Sequence, residues 1–300
     1  EDLVTSSGDT LLGADDKAGV AEIMGAVAYL AGHPDVRRPT VRIGFLPDEE
    51  IGMGPELFDV EGFGARFAYT VDGSTIGELQ DESFSAVEVR IRIRGVDVHP
   101  GEALGKLVNA GRLAAEVVAG LPSGRLTPES TSGRDGFIHV YGVSGTTGSA
   151  EIRAIVRDFD DAVLAEHVAL VRGLVERVVG GERRASFEIE VRPQYPNMRR
   201  FIAGHPEVVG AAEAAIAAEG IEVLRRPIRG GTDGSRLSAM GLPTPNIFAG
   251  GHELHSCREW VSVRDMAAAA AVLVRLAEVW ACGVVGGSDG RESGAGDPGG

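Results

Sequence analysis

Four short segments carry side chains able to do chemistry. LLGADDKAG sets Asp15 and Asp16 just before a helical pattern, and PDEEIGMG sets Asp48, Glu49 and Glu50 just after an apolar run. YTVDG ends an apolar run on Asp72, and FAGGHELHS carries His252 and His255 in a loop. Taken singly, each has a plain structural explanation. Asp is a favoured helix N-cap, three adjacent acids make a solvated turn, Asp-Gly is a turn dipeptide, and two histidines can simply face water. Taken together, carboxylates and imidazoles at four strand ends or loops suit a hard-to-borderline metal such as zinc, manganese or cobalt. A further carboxylate beside a ligand carboxylate would serve as general base to a metal-activated water.

Positioning such groups requires an open α/β sheet, whose sites lie at strand ends. Residues 17–31 space Val20, Ile23, Met24, Val27 and Leu30 as a helix does, and His33-Pro34 stops it. Residues 40–46 (TVRIGFL) and 67–71 (FAYTV) read as buried strands. From about residue 84 the pattern changes. SAVEVRIRIR (85–94) alternates strictly, as a half-exposed antiparallel strand does; Arg90, Arg92 and Arg94 form its solvated face. A helix near 103–119, strands near 137–143 and 150–158, a helix near 161–179 and a strand near 185–192 complete a β-α-β-β-α-β unit. The α/β pattern then resumes with a helix near 206–219, a strand near 244–248 and a helix at 262–280. The predicted organisation is a catalytic α/β domain in two parts (1–83 and 196–282), interrupted by a ferredoxin-like α+β lid (84–195), with a disordered Gly-rich tail (283–300).

Composition narrows the function. Twenty-nine basic against 44 acidic residues leave a net charge of −15, which repels nucleic-acid phosphates. No apolar run reaches the length of a membrane span. Two cysteines, Cys257 and Cys282, cannot build a disulfide framework, so the cytoplasm is the expected compartment. Familiar motifs fail on spacing. HELH brings its second histidine one residue too early for HExxH, Gly101 to Lys106 lacks the P-loop hydroxyl, and Gly52-Met53-Gly54 lacks a third glycine.

The set LLGADDKAGVAEIM, PDEEIGMG, YTVDG, RGGTDGSRLSAMGLPTPN and GGHELH resembles, in order and spacing, the tripeptide-aminopeptidase branch of a dinuclear zinc family. That family also holds aminoacylases, desuccinylases and glutamate carboxypeptidases, and the resemblance covers about residues 8–281. It implies a zinc-peptidase fold with a mixed sheet flanked by helices and a ferredoxin-like lid. It implies Asp15 as the carboxylate bridging two zinc ions, Glu50 and His255 as further ligands of one ion, Asp72 as ligand of the other, and Glu49 as general base. A cis peptide between Asp15 and Asp16 is implied as well. His99 of the lid, Asn109, Arg157 and Arg229 resemble substrate-binding residues, the arginines pairing with a peptide carboxylate. For Arg157 an exposed strand position beside Asp158 and Asp160 is the other reading. Cys257 is read as a bystander.

The partners implied are a small peptide substrate and, optionally, a second copy of the chain as a homodimer, with neither nucleic acid nor membrane. A deacylase or dipeptidase of the same family, or a non-catalytic homologue kept for binding or dimerisation, would share these ligands. The family's remaining zinc histidine lies in an upstream His-x-Asp motif, and none precedes Gly8 here. The expectation is therefore that the chain is a piece of a longer gene product with one zinc site incomplete; a protein naturally lacking that histidine is the other reading.

Overall fold

A computed structural model describes residues 2–283; the predicted tail lies outside them beyond Gly283. The chain opens with β1 (Leu3–Thr5), α1 (Ala14–Gly32), α2 (Val60–Phe63), β2 (Thr70–Gly73) and β3 (Glu78–Gln80). It continues through β4 (Ser85–Arg94), α3 (Ala110–Gly120), β5 (Phe137–Gly145), β6 (Ser149–Asp158), α4 (Asp161–Val178) and β7 (Ser186–Tyr195). It closes with α5 (Arg199–Ile202), α6 (Pro206–Ala218), β8 (Leu224–Arg225), α7 (Asp233–Ala239), β9 (Asn246–Phe248), β10 (Gly251–His252), β11 (Trp260–Ser262) and α8 (Val263–Cys282).

Strands from the two ends of the chain share a mixed sheet in the order β2-β9-β3-β8. β2 runs parallel to β9 and β3 parallel to β8, while β3 and β9 are antiparallel. A second, antiparallel sheet, β1-β11-β10, adjoins it. Helix α8 packs against both α1 and α6 beside these strands, burying Val71, Leu79, Ile216, Ile247, Phe248, Val272 and Leu276 in one core. The middle of the chain has its own sheet, β5-β6-β4-β7, and its own core around Val89, Ile91, Ile93, Ile152, Val156, Val171 and Val175. β4 pairs antiparallel with both β6 and β7, from Ser85↔Asp158 to Arg94↔Ser149 on one side. This is the ferredoxin-like order, and the strict alternation of 85–94 fixes which face is buried.

The two crossings between these units lie side by side. Ser83 N–H donates to Asn197 Oδ1 (3.3 Å), Asn197 N–H to Ser85 Oγ (2.9 Å), and Met198 N–H to Ser83 Oγ (3.2 Å). Asn197 Nδ2 also donates to the Phe159 carbonyl (3.1 Å). Buried polar groups need such partners, and these stitch entry to exit.

Four expectations are corrected. Residues 40–46 form no strand: no strand among the described residues pairs with them, and Val41, Ile43 and Phe45 are exposed. An apolar run encodes a buried strand only when neighbours take up its backbone groups, and none does so here. The helix expected from 103 begins at Ala110, because Asn109 caps it by accepting from Arg112 N–H (3.1 Å) and the preceding stretch closes as a single 3-10 turn, Pro100–Glu102. The strand expected at 67–71 shrinks to Thr70–Gly73. Finally, α1 turns a different face inward from its largest apolar residues. Ala14, Ala18, Glu22, Ala26 and Leu30 are buried at i, i+4 spacing, while Val20 and Met24 are exposed. Small residues let the helix approach β2 closely. At Gly19 any Cβ would collide with the Val71 carbonyl and the Asp16 carboxylate, so glycine is required there.

Candidate metal centre

α1 starts at a tight turn in which Gly13 adopts a left-handed φ of 71°, and the Asp15–Asp16 peptide is cis, as the resemblance implied. Asp15 thereby enters the centre from the helix start. Glu49 and Glu50 sit on a single 3-10 turn (Glu49–Ile51), flanked by Asp48 and Gly52, both left-handed at φ 65° and 67°. Adjacent residues on so tight a turn point their side chains apart. Asp72 lies on β2, its N–H donating to Asn246 Oδ1 (3.1 Å) on the neighbouring β9; Asn246 in turn donates from Nδ2 to Gln80 Oε1 (2.7 Å). His255 comes from the loop after β10, where Glu253 and His255 take φ of 53° and 60°. Non-glycine residues at positive φ are strained, and Asp48, Glu253 and His255 make up most of those found here.

Asp15, Glu50 and His255 each offer a ligand atom within 4.8 Å of the others. His255 Nε2 lies 2.8 Å from Asp15 Oδ2 and 3.4 Å from Glu50 Oε2. Asp72 shares a hydrogen bond with Asp15 and feels the charges of Asp16, Glu49 and Asp15. His252, by contrast, stacks on Trp260 (centroids 4.1 Å apart), so its neighbour three residues on is the one that joins the cluster.

The electrostatics are those of crowded carboxylates. Burial first, then the Asp15 charge, push the Asp16 carboxyl up to about 8. Burial, then Asp233 and Glu50, push Glu49 up to about 7. Burial, Asp16, Glu49 and Asp15 raise Asp72. His255 is raised by its hydrogen bond to Asp15. A bound cation inverts this logic by stabilising every ionised form at once. Two carboxylates and an imidazole within bonding reach of a common point, with Asp72 beside them, are a donor set that fits a zinc-like ion.

The expected substrate groups lie elsewhere. His99 Nδ1 accepts from Gly101 N–H (3.1 Å) and Asn109 serves as the cap of α3, both in the inserted unit. Arg229 spends its guanidinium on the Gly133 and Asp135 carbonyls (3.0 and 2.8 Å) and Thr131 Oγ1 (2.8 Å), and lies over the Phe84 ring. Arg157 lies over Phe137 and Tyr195 and keeps a buried Nε without a partner, as does the Tyr195 hydroxyl.

Sequence reasoning missed several contributors. Asp233 lies against Gly54 and acts on Glu49, yet in RGGTDG it reads as an ordinary first-turn acid of α7. Asn246 and Glu259 support Asp72 and Asp15 through backbone hydrogen bonds, which leave no spacing signature.

Comparison with known proteins agrees with this geometry. Residues 12–279 match the model of peptidase family M20/M25/M40. Peptidase T of Vibrio parahaemolyticus is 47% identical over 281 residues, covering 93% of this chain and 68% of that protein. The crystal structure of aminopeptidase PepT from Bacillus cereus superposes with a TM-score of 0.78 at 26% identity, over 92% of this chain and 74% of that one. A tripeptidase from Staphylococcus aureus superposes at 0.81 and 20% identity, over 94% and 74%, which shows the fold.

Proposed function

The chain belongs to the M20/M25/M40 family of peptidases and is a metallopeptidase; from that premise we propose that it is a zinc-dependent aminopeptidase removing the N-terminal residue of tripeptides. The observation that carries the reading is the convergence of Asp15, Glu50 and His255, with Glu49 next to Glu50 on the same turn. The 47% identity to Peptidase T of Vibrio parahaemolyticus supports the substrate class.

Asp15, Glu50 and His255 would hold one ion, and Asp15 with Asp72 would face a second. When bound, such ions polarise an amide carbonyl and acidify water. The chain's own part is to hold and move a proton. Glu49 accepts one from the attacking water and returns it to the departing amine. Its place beside Glu50 on the same turn is what suits it to that transfer. Arg157, with Nε free, is proposed to meet the peptide carboxylate in the planar pairing that suits arginine. Arg229 must exchange its carbonyl partners for substrate to join it, and His99 and Asn109 approach substrate only as the inserted unit closes over the centre and excludes water. A small peptide is the proposed partner, alone or with a second copy of the chain forming a homodimer, in the cytoplasm. Among the described residues, no helix is long and apolar enough to cross a membrane.

The test is a panel of tripeptides, dipeptides and N-acyl amino acids, assayed with added zinc. Release of the N-terminal residue from tripeptides, with the other classes slower, supports the reading. Preferential cleavage of acyl amino acids or dipeptides overturns the substrate assignment. His99→Ala and Arg229→Ala should lower tripeptide turnover at unchanged metal content.

A further inference from the structure

Four residues beyond His255, and directly before β11, stands Glu259, whose side chain is 2% exposed. Burying a carboxylate is costly unless hydrogen bonds replace its water. Here each oxygen receives one: Gly13 N–H donates to Oε2 (2.6 Å) and Asp15 N–H to Oε1 (3.0 Å). The amides of Leu12 and Ala14 face it as well. These N–H groups belong to the start of α1, where amides lack partners within the helix and where Gly13 offers no capping side chain. A carboxylate from a distant segment therefore caps the helix that delivers Asp15.

The same residue closes the loop that delivers His255. Glu259 N–H donates to the Ser256 carbonyl (3.2 Å), Arg258 N–H to Ser256 Oγ (3.1 Å), and Ser256 Oγ–H to the Glu253 carbonyl (2.7 Å). His255 sits inside this ring of bonds at a strained φ of 60°. One side chain thus fastens the turn carrying Asp15 to the loop carrying His255, across 244 residues of sequence.

We propose that Glu259 is a positioning residue, which touches neither substrate nor metal but sets the Asp15–His255 pair at the separation a shared metal ion requires. This rests on the reading of Asp15 and His255 as ligands. Outer-sphere partners of this kind typically govern affinity about 10–100-fold.

The experiment uses the whole chain with Co2+ as probe, comparing wild type, Glu259→Gln, Glu259→Ala and, as control for loss of a buried carboxylate elsewhere, Glu82→Gln. Glu259→Gln keeps the shape but turns an amide group toward one backbone N–H. Co2+ affinity should fall about 10–100-fold in the Glu259 variants, and the visible Co2+ spectrum should change. Glu82→Gln should leave both as in wild type even where its unfolding midpoint drops. Hydrogen exchange of the metal-free wild type adds a readout that needs neither metal nor a folded variant: the Gly13 and Asp15 amides should exchange more slowly than those of residues 8–11. Co2+ affinity within twofold of wild type and an unaltered spectrum in Glu259→Gln overturn the proposal, as do Gly13 and Asp15 amides that exchange as fast as their neighbours. Should wild type and Asp15→Asn bind Co2+ equally poorly, the ligand reading falls instead, and the exchange measurement still judges whether Glu259 holds the turn.

Discussion

Carboxylates on the inserted sheet and carboxylates at the head of α1 live under opposite rules. On the sheet each is answered by a cation or hydroxyl. Glu88 accepts from Tyr141 Oη (2.6 Å) and from Arg153 Nε and a terminal nitrogen (3.2 and 2.9 Å), while Arg92 reaches Glu151 and Glu188 at 3.5 and 3.3 Å. At the junction of the units Glu82 takes both Arg134 (2.7 Å) and Arg199 (3.0 Å). Glu88 and Glu82 are accordingly held below the ordinary carboxylate range, chiefly by those hydrogen bonds. At the head of α1, Asp15, Asp16, Glu49, Glu50 and Asp72 crowd together, and the ion pairs on Asp15 and Glu50 are both with the one imidazole of His255. There Asp16, Glu49 and Asp72 are raised. Negative charge is thus neutralised locally in one region and left crowded in the other.

The sharpest break of this contrast is at the base. Glu49→Gln should reduce tripeptide hydrolysis by about 10²–10⁴-fold with zinc content unchanged by mass spectrometry. Glu50→Gln should instead lower zinc content, because a ligand must give electron density rather than accept a proton. Equal metal loss in both variants would refute the division of roles. Next in size is stoichiometry. On the proposed assignment, Asp15, Glu50 and His255 would supply two oxygens and a nitrogen to one ion, whereas Asp15 and Asp72 would give the other an oxygen-only pair. Calorimetry should find one tight zinc and a second, weaker one on residues 1–300; two equally tight ions would show the ligand set to be misassigned.

A subtler contrast appears with pH. A carboxyl raised in the folded state binds more protons there than when unfolded. Its stabilisation is complete below the unfolded value and lost as pH rises through the folded one. With Glu49 at about 7 and Asp16 at about 8, the metal-free protein should lose thermal stability between about pH 5 and pH 8. Glu82 and Glu88, lowered, act in the reverse sense, their contribution fading only as pH falls through the acid range. Excess zinc should reverse the slope between pH 5 and 8, since ligands bind metal deprotonated. A metal-free melting temperature that climbs across this window would contradict the crowding account. The smallest effect belongs to the sheet: Arg153→Ala should move the urea-unfolding midpoint only slightly, because the guanidinium it removes stands in solvent, and should leave zinc content alone.

The same contrast governs what could be read from sequence. β4 through β7 were legible because a sheet with one face on a core imposes strict alternation, and 85–94 shows it residue by residue. Residues 40–46 have the composition of a strand, but pairing is a property of neighbours and not of the segment itself. The four acidic and histidine segments were legible as chemistry from their residue types, whereas the choice of Asp15, Glu50, Asp72 and His255 within them came from the family resemblance. Glu259 was not, since its work lies in accepting backbone hydrogens, a role any acidic residue could fill and only coordinates assign.

The side-by-side crossings of Ser83–Ser85 and Asn197–Met198 bear on how the chain finds its fold. Loop-closure entropy grows with the length of chain between contacting residues. The mixed sheet must join β3 to β8 and β2 to β9 across the whole inserted unit. Once β4 has paired with β7, Ala86 faces Tyr195 and the two ends of the insertion are neighbours. The long loop is then a short one, and β8 and β9 search from a tether anchored beside β3. An insertion whose own ends meet thus lowers the entropy cost of joining the two halves of the larger sheet.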